Sequence, residues 1–155
     1  DKSLFGYKQH TIVDGNGLVI AIETTAANCH DSKPLLDLLA KANIQPGTRI
    51  HADKAYSSQK HRDVLKSRGI KNGIQDKATK NIPLLPRQLQ RNRMITKVRY
   101  VVERTFGSQV RWFNAKILRY CGLAKAHTWH ILLAMAYNLK RLPKLFAERQ
   151  MIAQT

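Results

Sequence analysis

From Leu89 to Phe113 apolar residues recur at steps of three and four: Ile95, Val98, Val102, Phe106, Val110 and Phe113. That period predicts a long amphipathic α-helix with one buried stripe, and the rest of the chain has to supply the surface that covers it. A single glutamate, Glu103, stands one residue past the stripe, with Arg99 one turn before it and Arg104 beside it. A carboxylate at the rim of a core-facing helix, set among cations, is placed to bind a metal ion next to a polyanion. Phosphoryl transfer on nucleic acid needs that arrangement.

The 155 residues allow one domain with a real core and are too few for two comfortable ones. Lys and Arg number 27 against 10 Asp and Glu, a formal net charge of +17. Such a charge attracts polyanions strongly, and nucleic acid is the leading partner. An acidic membrane surface ranks behind it, because such a partner usually takes a basic amphipathic helix with exposed aromatics or a polybasic block, whereas these cations are spread along the whole chain. Cys29 and Cys121 are far apart, without a CxxC pair or a Cys/His cluster at zinc spacing, so reduced thiols in a cytoplasmic protein are expected. No apolar run is long enough to span a bilayer, and residues Asp1 to Gly6 do not read as a signal peptide. Asp1 is not an initiator residue, so a processed or trimmed N-terminus, or one cut from a longer chain, is expected.

The order of elements follows from the punctuation. Phe5, Tyr7, Thr11 and Val13 alternate with Lys8 and His10, which predicts a strand over Leu4 to Val13, and Asp14-Gly15-Asn16-Gly17 is a hairpin turn. The second strand, Leu18 to Thr25, opens as the apolar run Leu18-Val19-Ile20-Ala21-Ile22, expected to be buried on both faces beneath a helix. Asp31 or Ser32 is the expected cap of a helix with Pro34 in its first turn, packed through Leu35, Leu36, Leu38 and Leu39 and ending near Ala42. Arg49 to Ala52 reads as a short strand delivering Asp53 at its C-terminal end. Ser57 or Ser58 then caps a helix that stops at Gly69. Ile70 to Gln75 predicts another strand, and Asp76 to Pro86 an irregular loop with Pro83 and Pro86. A last helix over Ala124 to Ala147 would pack through Ile131, Leu132, Met135, Ala136, Leu139 and Leu142 and be bent or ended early by Pro143. The result is a mixed α/β domain in which a hairpin precedes βα units.

With so few acids, the placement of each carries weight. Asp53 is at the mouth of a strand, where α/β sheets hold functional groups. Two-metal phosphoryl transfer takes carboxylates from separate elements holding Mg²⁺ or Mn²⁺ ions roughly 3.5 to 4 Å apart. By spacing alone the plainer readings are favoured: Asp53 caps the Ser57 helix region, and Glu103 pairs with Arg99 across one helix turn.

Four segments change that balance. Phe5-Gly6-Tyr7-Lys8, Asn28-Cys29-His30-Asp31, His51-Ala52-Asp53-Lys54-Ala55-Tyr56, and Arg99 through Glu103-Arg104-Thr105-Phe106-Gly107 resemble, in order and spacing, the catalytic domain of bacterial insertion-sequence transposases of the D-D-E type. The likeness is nearest to the insertion sequence five family, within the insertion sequence four superfamily. It extends to a closing helix around Asn138-Leu139-Lys140-Arg141. The resemblance implies a ribonuclease H-like fold, a mixed sheet flanked by helices, with Asp53 as the second catalytic carboxylate and Glu103 as the third. It implies Mg²⁺ or Mn²⁺ as cofactor, double-stranded DNA of element ends and target as substrate, and leaves a homodimer in the active complex open. Lys8, Lys54, Lys97, Arg99, Arg104 and Arg111 are the cations expected on DNA, with arginine forks matching phosphate oxygens.

The chain also departs from the family. A tyrosine seven before the glutamate and a lysine seven after it are replaced by Thr96 and Val110, with Arg111 adjacent to the missing lysine. The first aspartate belongs on a strand upstream of Gly6-Tyr7-Lys8; Asp1 is too near the next strand for that place, and Asp14 is explained by its turn. The reading is therefore a partial catalytic core without its first strand. A non-catalytic DNA-binding remnant is the alternative, and a basic RNA-associated protein the third. His30 and His51 are expected to be structural, and Trp112, Phe113 and Trp129 to belong to the core.

Overall fold

The computed structural model describes residues 6–80 and 82–153. Leu4 and Phe5, with which the first strand is expected to begin, and Asp1 lie outside the described residues. The element order is the expected one: β1 (Tyr7–Val13), β2 (Val19–Ala26), α1 (Leu35–Lys41), β3 (Arg49–Ala52), α2 (Gln59–Ser67), β4 (Lys71–Ile74), α3 (Pro86–Phe113) and α4 (Leu123–Ala153). The fold is mixed α/β, with two separate two-stranded sheets, β1 with β2 and β3 with β4. The chain divides into two compact units: one holds the hairpin with residues from Val101 onward, the other runs from Cys29 to Tyr100. Among the described residues no helix is long and apolar enough to cross a membrane.

In the hairpin unit β1 and β2 are antiparallel. The turn is built as its sequence predicts: the Asp14 carboxylate accepts from the Asn16 and Leu18 amides at 2.9 and 2.8 Å, and Gly17 adopts φ +84°. Val13 pairs with Val19 while Ile12 pairs with Ala21, so Ile20 is an extra residue bulged out of β2. The bulge shifts the alternation, putting Val19 on the same face as Ile22 and Thr24 and leaving Ile20 exposed. The expected burial of the whole run on both faces therefore fails at Ile20. Val19 and Ile22 meet Ala134 and Tyr137 of α4, with Trp112 and Phe113 packed against them. Asn138 closes the arrangement, accepting from the Val19 amide and donating to the Val19 carbonyl, both at 2.9 Å. Arg141 reaches the Asn16 carbonyl at 3.1 Å.

α4 corrects the sequence reading twice. Pro143 neither ends nor shortens it, and the helix runs on to Ala153. Its buried side is Ala126, His130, Leu133, Ala134 and Tyr137, while Leu132, Met135 and Leu139 face solvent. The helix is apolar on two opposite sides, so periodicity alone picks the wrong one.

In the other unit β3 and β4 are parallel, from Arg49 opposite Lys71 to Ala52 opposite Ile74. Their backbones lie so close that a Cβ at Gly73 would stand 2.5 Å from the Ile50 carbonyl oxygen. Ser58 caps α2, its hydroxyl accepting from the His61 amide at 3.2 Å. α1 is not capped by Asp31 or Ser32: Pro34 occupies the cap, and the Ser32 hydroxyl is bonded to His30 Nδ1 at 2.8 Å. α3 starts at Pro86, three residues ahead of the expected Leu89, because proline suits the first helical turn. Its expected stripe holds at Ile95 but not at Val98, which is exposed; further on, the fully buried positions are Thr105 and Gln109.

Candidate functional site

The site begins where β3 ends. Ala52 is the last strand residue; Asp53 continues extended (φ −69°, ψ 161°), and its carbonyl accepts from the Tyr56 amide at 3.0 Å to start a 3₁₀ turn over Lys54–Tyr56. The carboxylate caps nothing. Its Oδ2 instead lies 3.4 Å from Nη1 of Arg99 on α3, with the Asp53 side chain 41 % exposed. Both plain readings of the sequence therefore give way: Asp53 is no helix cap, and Arg99 turns to Asp53 and not to Glu103. Asp53 and Arg99 open onto a cleft of about 550 Å³ shared with Lys54, Lys77, Asn92 and Thr96.

The wall of the cleft is set by residues the sequence reading passed over. Two residues beyond β4, Asp76 takes Arg62 of α2 on one carboxylate oxygen and Arg91 of α3 on the other, each at 2.9 Å. Arg91 also donates to the Ile74 and Asn72 carbonyls at 2.9 and 3.1 Å, fastening the end of β4 to α3. The Asn92 side chain accepts from the Asp76 amide at 2.8 Å and donates to the Asp76 carbonyl at 3.0 Å, pairing with that backbone as a neighbouring strand would. Gln75 continues the ladder by donating its amide to Ala52, and its side chain donates to the Thr96 hydroxyl at 2.8 Å. Thr96, where the family carries tyrosine, thus has a structural task here.

Charge and burial shape the groups around Asp53. Burial raises the Tyr56 phenol, the carboxylates of Asp31 and Asp53 raise it further, and Arg99 opposes them. Burial and the positive fields of Arg49 and Arg91 hold His51 below its ordinary value, which suits a neutral structural imidazole.

The predicted site residues divide between the two units. Asp53, Lys54 and Arg99 meet at the cleft. Lys97, also on α3, is exposed and lies about 200° around the helix from Arg99. Glu103 is exposed on α3 in the hairpin unit, with Arg111 exposed further along. Arg104 is half-buried against the hairpin turn, its Nη2 3.1 Å from where a Cβ of Gly17 would be. Lys8 is half-buried on β1 opposite Thr25.

Asp53 and Glu103 offer oxygen donors of the kind a hard divalent cation takes. Among the described residues no group of three or more His, Cys, Asp or Glu is gathered as a metal site. Taken singly, each carboxylate fits Mg²⁺ or Mn²⁺ in kind, and the two belong to different units.

Comparison with known proteins places these features. The family described as Transposase DDE domain matches residues 1–139. A transposase for insertion sequence element IS1106 from Neisseria meningitidis serogroup B is 42% identical over 134 residues, covering 86% of this chain and 46% of the relative. A Burkholderia cepacia protein assigned to insertion sequence element IS402 is 32% identical over 114 residues, covering 68% of this chain and 49% of the relative. The chain thus spans about half the length of the curated relatives it matches. No solved structure matches it.

Proposed function

The chain belongs to the transposase DDE domain family, and from that premise we propose that it forms part of an enzyme that cuts insertion-sequence ends and joins them to target DNA. The observation that carries this is Asp53: a carboxylate at the C-terminal end of a parallel strand, uncapped, held by an arginine from α3 and open to a basic cleft. In the proposed reaction water attacks the phosphodiester at the element end, and the freed 3′-hydroxyl then attacks a target phosphodiester, with no covalent enzyme intermediate. Asp53 and Glu103 are the residues proposed to hold a divalent metal, which would supply Lewis-acid stabilisation of the attacking and leaving oxygens. Arg99 orients Asp53, while Lys54, Lys97, Arg111 and Lys8 are the proposed backbone contacts. Arg104, half-buried at the turn, is the weakest member of that set. The proposed place of action is the bacterial cytoplasm, at the nucleoid.

The finer fold attached to this reading is ribonuclease H-like. What supports it is the mixed α/β build of the chain, with one antiparallel and one parallel pair of strands among helices.

The test is strand transfer on a duplex carrying the element end, in the protein at its relatives' length. Asp53→Ala and Glu103→Ala are each expected to reduce strand transfer to background while duplex binding persists. Strand transfer retained by Asp53→Ala overturns the reading. A second reading, a DNA-binding remnant, is favoured by the incomplete ligand set. It predicts salt-dependent duplex binding and no metal-dependent cutting under any condition.

A further inference from the structure

We propose that Tyr120 and Trp129 form a platform on which the hairpin unit stacks an unpaired DNA base. Their rings lie 5.9 Å apart, tilted by 51°. Trp129, expected in the core, is only half-buried near the start of α4, and Tyr120, in the loop between α3 and α4, is 49% exposed. Trp112 is not available in this way: it stacks on Tyr137 at 5.8 Å, and the Lys140 ammonium lies 4.7 Å from its ring centre. The loop that carries Tyr120 is fixed at both ends. Asn114 adopts φ +52° and donates its amide to the Val110 carbonyl at 3.0 Å, ending α3. Gly122 donates its amide to the Tyr7 hydroxyl at 2.7 Å, tying the loop to β1. A ring held in place before its ligand arrives has less freedom to lose on binding.

Charge and ring chemistry together select the ligand. From Arg104 to Ala147 the chain has eight Lys and Arg and no Asp or Glu. Arg119 is next to Tyr120, Lys116 lies four residues before it, and Lys125 stands one turn before Trp129 on the same side of α4; all three are exposed. Rings flanked by cations suit a nucleic-acid strand, in which the cations take phosphates and the rings take base faces, whatever the base. An apolar segment of protein gains nothing from the three cations, and a lone phosphate gains nothing from the rings. A nucleotide strand uses both. A base paired in a duplex presents its edges and keeps its faces in the stack, so the platform takes an unpaired one. The choice of DNA over RNA rests on the transposase reading; the stacking itself does not.

The experiment is fluorescence anisotropy of two labelled strands of about twelve nucleotides, oligothymidylate and an abasic strand of the same length, at about 0.2 M salt without metal. It uses the protein at its relatives' length, so that the rest of the polypeptide is present to cover the rings if that is their partner. Oligothymidylate is expected to bind at least about fivefold tighter than the abasic strand. Tyr120→Ala is expected to remove that difference and leave abasic binding unchanged, while Tyr120→Phe, which keeps the ring, retains it. Arg119→Ala is expected to weaken both strands alike. Equal affinity of the intact protein for the two strands overturns the proposal, as does a difference that survives Tyr120→Ala. A pair that only clasped the loop to α4 would give one of those two results. Tighter binding of oligouridylate than of oligothymidylate overturns the choice of DNA. No strand transfer is read, so failure here is separate from failure of the transposase reading.

Discussion

The ends of β3 and β4 lie side by side and each is followed by an aspartate, yet the two carboxylates have opposite fates. Asp76, after β4, is 15% exposed and grips two arginines at 2.9 Å, while Asn92 holds its backbone on both sides. Asp53, after β3, is 41% exposed and has one longer contact, 3.4 Å, to one arginine. A carboxylate saturated by forked donors is a structural joint. One left open to solvent and loosely oriented keeps its lone pairs for something else. The comparison separates the acid that builds the cleft from the acid proposed to work in it.

Four measurements break or sharpen that contrast. The largest effect is the loss of strand transfer in Asp53→Ala, against which Asp76→Ala should retain activity in whatever fraction stays folded. In stability the order inverts. Asp76→Asn leaves Arg62 and Arg91 facing an uncharged amide in a half-buried setting, and should cost about 2–4 kcal/mol in urea unfolding. A loss below about 0.5 kcal/mol would deny Asp76 its role as a joint.

Acid should act on the hairpin unit through a third group. His130 is buried beside Thr24, whose hydroxyl lies 2.8 Å from His130 Nδ1 and 3.1 Å from His127 Nδ1. Burial, then the positive fields of His127 and His10, pulls His130 from 6.5 to about 4. Between those values the unfolded chain binds the proton and the folded one does not. His130's stability contribution is therefore complete above pH 6.5 and is lost as pH falls through about 4, a change of roughly 3 kcal/mol. Slowed exchange of β2 amides at pH 7 that fades by pH 4 would show it; unchanged protection would contradict it. The smallest effect is Asn92→Ala, which leaves the Asp76 amide and carbonyl unpaired at about 1–2 kcal/mol and should raise proteolysis in the loop that follows.

The element order was legible because turns and caps are local. Asp14 with Gly17, Ser58 before α2 and Gly69 after it act within a few residues of themselves. The face of α4 was not legible, since a helix apolar on both sides carries no moment to point it. The cap of α1 failed because Ser32 has a competing partner in His30, two residues away. The place of Asp53 at a strand's mouth was legible from the short strand before it. The role of Asp76 was not, although the same signal, an acid just past a strand, was present. What distinguishes the two is the convergence of Arg62 and Arg91 from two helices, which only the tertiary structure supplies.

The most direct test of the central claim pairs two readouts on Asp53→Asn in the protein at its relatives' length. Strand transfer should fall to background, while thermal unfolding shifts by no more than about 0.5 kcal/mol, since a half-exposed ion pair at 3.4 Å contributes little. Retained strand transfer would contradict the account. So would a stability loss as large as that of Asp76→Asn, because Asp53 would then be a second structural joint and not the working carboxylate.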